Sequence, residues 1–249
     1  MKKLLYIPFI FILFACSNEN AFDCIQTAGK IVQREIAVGD FDRVLVNEHI
    51  EMIISSGTEN RVVVETGENL INDVKAVVQS GRLILTDNND CNWVRDYGIT
   101  KIYVTAIDIT EIRSGTQFPI RSEGVLTFPQ LTILSETFEA PDTAAVGEFF
   151  LEIDNENLTV VFNNLSNMFI SGNVDDLDLS FAAGNPRFEG AELIARNVNV
   201  FHRSSNDIII HPTETLTGRI VSTGDVIAVN QPPVVDVEVL YQGRLIFRN

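Results

Sequence analysis

The sequence predicts an all-β fold, and within that class it favours a β-solenoid over a β-sandwich. Three observations support this prediction. Short runs of β-branched residues alternate with clusters of Gly, Asn, Asp and Ser, which is the pattern of many short strands joined by tight turns. No stretch sustains the apolar period of about 3.6 residues that is typical of an amphipathic helix. In the second half of the chain, apolar positions recur about every 20 residues.

The strand-like runs begin at Ile31, after a polar segment that is expected to be a short tether. Only residues 68–78 could hold a helical turn, and three valines in this segment weaken that prediction. Prolines interrupt the strands between residues 105 and 150, so coils there are expected to be bulged or missing. The first predicted strands are residues 44–46, 51–54, 61–64, 82–85 and 101–104.

The recurrence of apolar positions is clearest after residue 157. Intervals of 19, 21, 18 and 21 residues separate Leu158, Leu177, Val198, Leu216 and Val237. A second apolar position follows eleven residues after each of the first four, and its first member, Phe169, is expected to face inward. Solenoid coils need units of nearly equal length because each turn stacks on the one before it at about 4.8 Å. The chain is 45% hydrophobic, so a sandwich remains an alternative.

Three tetrapeptides are predicted corners of the coils. Each contains a small or polar residue, then Gly or Asn, then Asn or Asp, and then an aliphatic residue. Gly and Asn tolerate a positive φ, and stacked Asn or Asp side chains can form ladders between turns. The same pattern occurs in other β proteins with tight turns. The predicted corners are residues 171–174, 205–208 and 223–226.

The first residues have the form of an export signal. Residues 1–3 are a short basic start, and residues 4–15 form an apolar run that is too short to cross a bilayer. The ending at Cys16 resembles the lipobox of bacterial lipoproteins. This resemblance implies removal of residues 1–15, acylation of Cys16 with fatty acids such as palmitate, and a tether of residues 16–30. An ordinary signal peptide with an incidental Cys is the alternative.

Two features bear on where the protein acts and on its partners. Ser17 follows the lipobox cysteine in place of the Asp of an inner-membrane retention signal, so an outer-membrane lipoprotein is expected, on its periplasmic or cell-surface face. The net charge is −16, from 34 acidic and 18 basic residues. This charge disfavours nucleic acid as a partner and leaves membrane attachment to the acyl chains.

Cys24 and Cys91 are expected to form a disulfide, because an isolated pair outside the cytoplasm is usually oxidised. Two separate buried thiols are the alternative. No His or second Cys lies near either residue at the spacing of metal ligands, so no metal site is predicted there.

No catalytic motif stands out, and the protein is predicted not to be an enzyme. The sequence lacks a nucleophile elbow, a zinc-protease helix motif and a phosphate-binding loop. The acidic pairs Asp175–Asp176 and Glu152/Asp154 could serve acid–base chemistry, as in β-helix polysaccharide lyases, but solvated turn residues explain them better. The three histidines are expected to be structural, with Glu48 and His49 on opposite faces of a strand, His202 at the position of Phe162 and Phe181, and His211 at a turn.

Two weaker patterns concern calcium and a modification. Residues 87–90 and 154–157 offer oxygen ligands, but neither fits the spacing of an EF-hand, and Asn/Asp turns explain both. No metal or other cofactor is therefore predicted. Residues 142–144 resemble the Asp-Ser/Thr-small acceptor for O-glycosylation of exported proteins, with Thr143 as the acceptor.

Several stretches, taken in order, resemble the putative auto-transporter adhesin, head GIN domain family. They are an Arg-rich opening followed by Phe41-Asp42, an Asn-Leu-Ile segment at residues 69–71, a Gly-x-Leu-x-Ile strand from Gly81, and a Gly-Asp-Val then Pro-Pro-Val close at residues 224–234. The resemblance spans about residues 31–235. A literal Gly-Ile-Asn repeat is missing, since Gly172-Asn173-Val174 and Gly224-Asp225-Val226 stand in its place.

This resemblance implies a right-handed parallel β-helix-like solenoid over residues 31–249 and a role in cell adhesion without catalytic residues. The expected function is therefore that of a binding module for a glycan or a protein. The alternatives are a structural lipoprotein that assembles with itself as a homo-oligomer, and a degenerate polysaccharide lyase-like β-helix. The content of Phe, 16 residues against one Trp and four Tyr, indicates core filling more than a sugar platform.

Overall fold

The computed structural model describes residues 23–89, 91–137 and 144–248, and it confirms the all-β prediction. Within these residues 59% lie in strands and no α-helix occurs, and one 3-10 turn spans Asp23–Ile25. All strands belong to one sheet, which is nearly closed and barrel-like. The strands are β1 (Ile31–Ile36), β2 (Arg43–Val46), β3 (Glu51–Ser56), β4 (Arg61–Gly67), β5 (Val74–Gln79), β6 (Arg82–Asp87), β7 (Lys101–Ala106), β8 (Glu111–Ser114), β9 (Ile120–Leu126), β10 (Gln130–Ser135), β11 (Glu148–Phe162), β12 (Asn167–Phe181), β13 (Arg187–His202), β14 (Ile208–Ile220), β15 (Val226–Ala228), β16 (Val234–Val239) and β17 (Leu245–Phe247).

The strands pair in two stacks. The first stack runs β5, β6, β2, β8, β10, the second halves of β11 to β14, and β16. The second stack runs β1, β4, β7, β3, β9, the first halves of β11 to β14, β15 and β17. The β1–β4, β4–β7 and β5–β6 pairs are antiparallel, and the other pairs are parallel. The long strands β11 to β14 therefore connect the two stacks.

The predicted apolar recurrence is confirmed at four positions. Leu158 pairs with Leu177, Leu177 with Val198, and Val198 with Leu216. The prediction of the fifth position was wrong, because Leu216 pairs with Val235, which lies two residues before the expected Val237. The last unit is 19 residues long at this position, which is two residues shorter than the sequence interval suggested.

Phe169 does not face the core, which corrects the prediction. Met168 pairs with Phe188, and both are buried, whereas Phe169 pairs with Glu189 on the outer face. The connection from Phe162 to Met168 is one residue shorter than the equivalent connection in the next unit. Because side chains alternate along a strand, one residue is enough to reverse the face.

The core is filled by inward-facing aliphatic side chains and by a row of buried aromatic rings that contact one another. Phe149 stacks on Phe162 with ring centroids 5.3 Å apart, and Phe162 stacks on Phe181 at 5.4 Å. His202 meets Phe181 edge-on at 6.4 Å. These rings are all fully buried, as expected of Phe that fills a core, and His202 occupies the predicted position of Phe162 and Phe181.

Two local predictions need correction. Residues 68–73 form turns and β5 begins at Val74, so the segment with a possible helical turn becomes a turn and a strand. Residues 171–174 lie inside β12, although Gly172 does have the positive φ (110°) expected of a corner. A Cβ atom at this position would lie 1.9 Å from the carbonyl oxygen of Ile153, so only glycine fits.

Candidate functional site

Cys24 and Cys91 form a disulfide, as predicted, and it closes a sequence separation of 67 residues. Cys91 lies in the connection between β6 and β7, and we call residues 91–100 of this connection the clamped loop. The loop contains no strand, and its shape depends on side chains bonded to its own backbone. The disulfide fixes its start to the segment just before β1.

Arg95 holds the clamped loop from inside. Its guanidinium donates hydrogen bonds at 3.2, 2.8 and 3.0 Å to the carbonyl oxygens of Gln26, Asn89 and Cys91. The Asn92 side chain accepts from the backbone N–H of Arg95 and donates to its carbonyl oxygen, at 2.8 and 2.7 Å. These bonds replace the ladder that a regular strand would provide, so the loop has a defined conformation.

The clamped loop presents the single Trp of the chain to solvent. Trp93 is 78% exposed and Tyr97 is 75% exposed. The Trp93 N–H donates to the carbonyl oxygen of Cys24 at 2.9 Å, which ties the backbone under the ring to the disulfide. Large exposed aromatic rings on a fixed backbone are typical of contact surfaces, because little conformational entropy is lost when they bind.

A second aromatic surface lies on the outer face of the second stack. Arg121, Phe150 and Phe169 are register partners on β9, β11 and β12. The rings of Phe150 and Phe169 are stacked, with centroids 5.0 Å apart and an interplanar angle of 7°. The Arg121 guanidinium lies 4.1 Å from the Phe150 centroid and also pairs with Glu51. We call this set the aromatic column.

The sequence did not identify either surface. The signal for Trp93 and Tyr97 was their place beside Cys91 between polar clusters, where an apolar ring has no strand to pack in. Phe150 and Phe169 gave no such signal, because Phe in a strand is more often buried than exposed.

The three predicted structural histidines occupy different environments. His49 lies in a turn between β2 and β3 with a φ of 70°, so the prediction that it shares a strand with Glu48 was wrong. His211 lies inside β14, so the prediction that it lies at a turn was wrong, and its Nδ1 is 3.1 Å from the carbonyl oxygen of Ala191. His202 is fully buried, with Nδ1 3.3 Å from the hydroxyl of Ser204.

Burial lowers the pKa of His202 below its usual value, although the nearby Asp207 carboxylate opposes the shift. Below a pH of about 6.5 the His202 imidazole therefore binds a proton more readily in the unfolded chain than in the folded chain. We expect His202→Leu to remove this acid sensitivity. The stability of the wild type relative to the variant should fall with decreasing pH, with a slope approaching about 1.4 kcal/mol per pH unit. Urea unfolding from pH 7 to pH 5 measures it, and parallel curves would contradict the assignment.

The acidic stretches that offer oxygen ligands in the sequence do not bring those ligands together around one point. In β11, Asp154 and Glu156 are exposed while Asn155 between them is buried, so residues 154–157 do not surround one point. The Asp87 carboxylate is engaged by Asn89 and by Thr100, at 2.6 Å each. Among residues 23–89, 91–137 and 144–248, no group of three or more His, Cys, Asp or Glu side chains is placed to hold a metal ion.

Cys16, with the predicted signal peptide, and Thr143 lie outside the described residues. Within the part of the chain that the structure describes, no helix has both the length and the apolar character needed to cross a membrane.

Solved structures share this fold over most of their length. A putative adhesin from Bacteroides fragilis matches with a TM-score of 0.77 and 16% identity, covering 89% of this chain and 99% of the other. A putative adhesin from Parabacteroides distasonis matches with a TM-score of 0.63 and 14% identity, covering 89% of this chain and 98% of the other. A putative lipid binding protein from the same species matches with a TM-score of 0.59 and 16% identity, covering 88% of this chain and 97% of the other. Identities this low show the fold alone. Comparison with curated proteins gives no match.

A family model matches residues 40–232, from the turn before β2 to the turn before β16. The match includes the clamped loop, the aromatic column and most of both strand stacks. The chain therefore belongs to the family described as putative auto-transporter adhesin, head GIN domain.

Proposed function

We propose that this protein is a non-catalytic, lipid-anchored adhesin of the cell envelope, which binds a glycan through the clamped loop. The observation that carries the proposal is the exposure of Trp93 and Tyr97 on a loop held by a disulfide and by Arg95. Indole and phenol rings combine an apolar face with a polar group, and this combination suits the apolar faces and hydroxyl groups of a sugar. Family membership supports adhesion as the biological context.

The polar surroundings of the two rings also support a glycan. The space beside Tyr97 is lined by groups that can donate or accept hydrogen bonds, including Asn92, Asp96 and His49. A sugar that stacks on an aromatic ring needs such groups at its edge to fix its orientation. A purely apolar partner could not form hydrogen bonds with these groups.

The binding surface can be tested on glycan and matrix-protein arrays with the purified protein. We expect Trp93→Ala and Tyr97→Ala each to weaken retention at least tenfold, because alanine substitution of an aromatic anchor commonly costs about 2 kcal/mol. Tyr241→Ala is the matched control, since Tyr241 is also exposed (62%) but lies near the C-terminus of the described chain. Equal losses in all three variants would contradict the proposal.

Other outcomes of the same experiment favour the alternative functions. Concentration-dependent oligomers without retention on any array would support a self-assembling envelope protein. Release of products from a polysaccharide would support a degenerate lyase. Retention on lipid vesicles by the unacylated protein would support binding of lipid.

For residues 31–249 we propose a right-handed β-helix-like solenoid with coils of about 20 residues, irregular in the middle. The register supports this fold, since positions such as Val160, Leu179, Val200 and Gly218 pair in parallel at intervals of 19, 21 and 18 residues. Strand β9, which contains an irregularity in its pairing with β11, supports the irregular middle.

We also propose that Cys16 carries the acyl chains that anchor the protein to the outer membrane. Cys16→Ala is expected to abolish incorporation of labelled palmitate and to shift the protein from the membrane pellet to the soluble fraction. Cys91→Ala is the matched control, which should stay acylated. Continued acylation of the Cys16 variant would rule out the lipobox.

Thr143 is proposed as an O-glycosylation site of the exported protein. Thr143→Ala should lower the mass of the mature protein by one glycan and leave the remaining peptides unchanged. An unchanged glycan content in mass spectrometry would contradict the site.

A further inference from the structure

A shallow groove of about 450 Å³ lies on the outer face of β11, β12 and β13, separate from the clamped loop. Its walls include Phe150, Phe169, Glu152, Glu189 and Glu192. Phe169 forms part of the floor and is 36% exposed. The groove thus joins the end of the aromatic column to a set of carboxylates.

The groove exists because β13 contains one extra residue at this point. Phe169 pairs with Glu189, whereas Ser171 pairs with Glu192, so Gly190 and Ala191 together face Ile170 alone. Such a β-bulge interrupts the ladder and redirects the neighbouring side chains. Of the two residues at the bulge, Ala191 lines the groove and contributes only a methyl group, so the space beside the Phe169 ring stays open.

Two carboxylates stand on either side of a small residue in this groove. Glu152, Ser171 and Glu192 are register partners on three neighbouring strands. Strands lie about 4.8 Å apart, so the two glutamate positions are roughly 10 Å apart with a serine between them. Both glutamates are exposed, and within the described part of the chain neither carboxylate forms a hydrogen bond or an ion pair. Glu189 differs, because it pairs with Arg187.

The aromatic column already shows how it accommodates a cation. Arg121 places its guanidinium 4.1 Å from the centroid of Phe150, and Phe169 stacks on Phe150. A guanidinium is attracted to the face of an aromatic ring by the charge distribution of the ring. At the other end of the column, the exposed part of Phe169 borders the groove.

We propose that this groove binds an arginine side chain from an extended segment of a protein partner. The guanidinium lies above Ser171, donates hydrogen bonds to Glu152 and Glu192, and contacts the ring of Phe169. Charge complementarity supports this occupant, because the described lining residues include three glutamates and no basic residue. Arginine fits better than lysine, since its planar fork can bond two carboxylates while it contacts a ring.

The test uses the purified protein and a labelled peptide in which arginine alternates with serine, so that an extended chain presents its arginines on one side. Fluorescence anisotropy gives the dissociation constant. We expect Glu152→Gln combined with Glu192→Gln to weaken binding at least about tenfold, and Phe169→Ala to weaken it about 3- to 5-fold. Phe169→Trp should strengthen it, and the matched lysine peptide should bind more weakly.

Asp236→Asn combined with Glu238→Gln is the matched control, because it removes the same charge from β16, outside the groove. It should change the dissociation constant less than twofold, and the melting temperature of each variant shows whether the fold is intact. Equal weakening by both double variants would overturn the proposal in favour of long-range attraction. An unchanged affinity in Phe169→Ala would overturn the contact with the ring.

The arginine site does not depend on glycan binding by the clamped loop, and the two can fail separately. Trp93→Ala should leave the affinity for the arginine peptide unchanged. The opposite case is a wild type that does not bind the arginine peptide and a Phe169→Ala variant that loses glycan retention. This pair of results would assign the groove to a sugar and overturn the proposal.

Discussion

Replacement of Phe181 by alanine is expected to lower the free energy of unfolding by about 3–5 kcal/mol. The ring is fully buried between Phe162, at 5.4 Å, and His202, at 6.4 Å. A parallel stack cannot easily close the resulting cavity, because the strand spacing is fixed by backbone hydrogen bonds on both sides. Urea unfolding monitored by circular dichroism measures the change.

Phe169→Ala is the matched control for this prediction. Phe169 lies on the same strand and is also stacked on a neighbouring Phe, but its ring faces outward and is partly exposed. We expect this variant to lose less than about 2 kcal/mol, because part of its area is already in contact with water. Equal losses at the two positions would contradict the assignment of inner and outer faces.

The sequence predicted the strands well because β-branched runs and alternation depend on neighbours along the chain. It also predicted the pairing of Leu158 with Leu177 and of Leu177 with Val198, since parallel stacking requires units of similar length. It failed at Phe169 because the connection before Met168 is one residue shorter than the next one, and one residue is enough to move a side chain to the opposite face of the strand. Turn lengths are set by local packing, which the apolar pattern does not record.

The two candidate sites were harder to predict than the fold. The disulfide followed from cysteine counting, but the role of Arg95 depends on contacts with residues as distant in sequence as Gln26. The groove arises from the extra residue in β13 between Phe188 and Leu193, and a bulge is visible only once the register of both strands is known. Both sites therefore depend on pairings between segments, whereas sequence patterns report the local environment of each segment.

Removal of the disulfide by combining Cys24→Ser with Cys91→Ser is expected to lower the free energy of unfolding by about 4 kcal/mol. The bridge closes a separation of 67 residues, and the loss of that constraint increases the entropy of the unfolded chain. Chemical unfolding of the variant and of the wild type measures the difference. As a control, a reducing agent should destabilise the wild type by a similar amount and leave the double variant unchanged.

The same variant should also weaken glycan binding under conditions in which the fold remains intact. The backbone N–H of Trp93 donates to the carbonyl oxygen of Cys24, and the Arg95 guanidinium donates to the carbonyl oxygen of Gln26. The disulfide therefore holds in place the segment around Cys24 to which the clamped loop is bonded. Without it, the loop must lose conformational entropy when it binds, which lowers the affinity. Binding of the arginine peptide should stay unchanged, because the groove between β11 and β13 makes no contact with Cys24 or Cys91. A double variant that loses stability but retains full glycan affinity would show that Arg95 alone orders the loop.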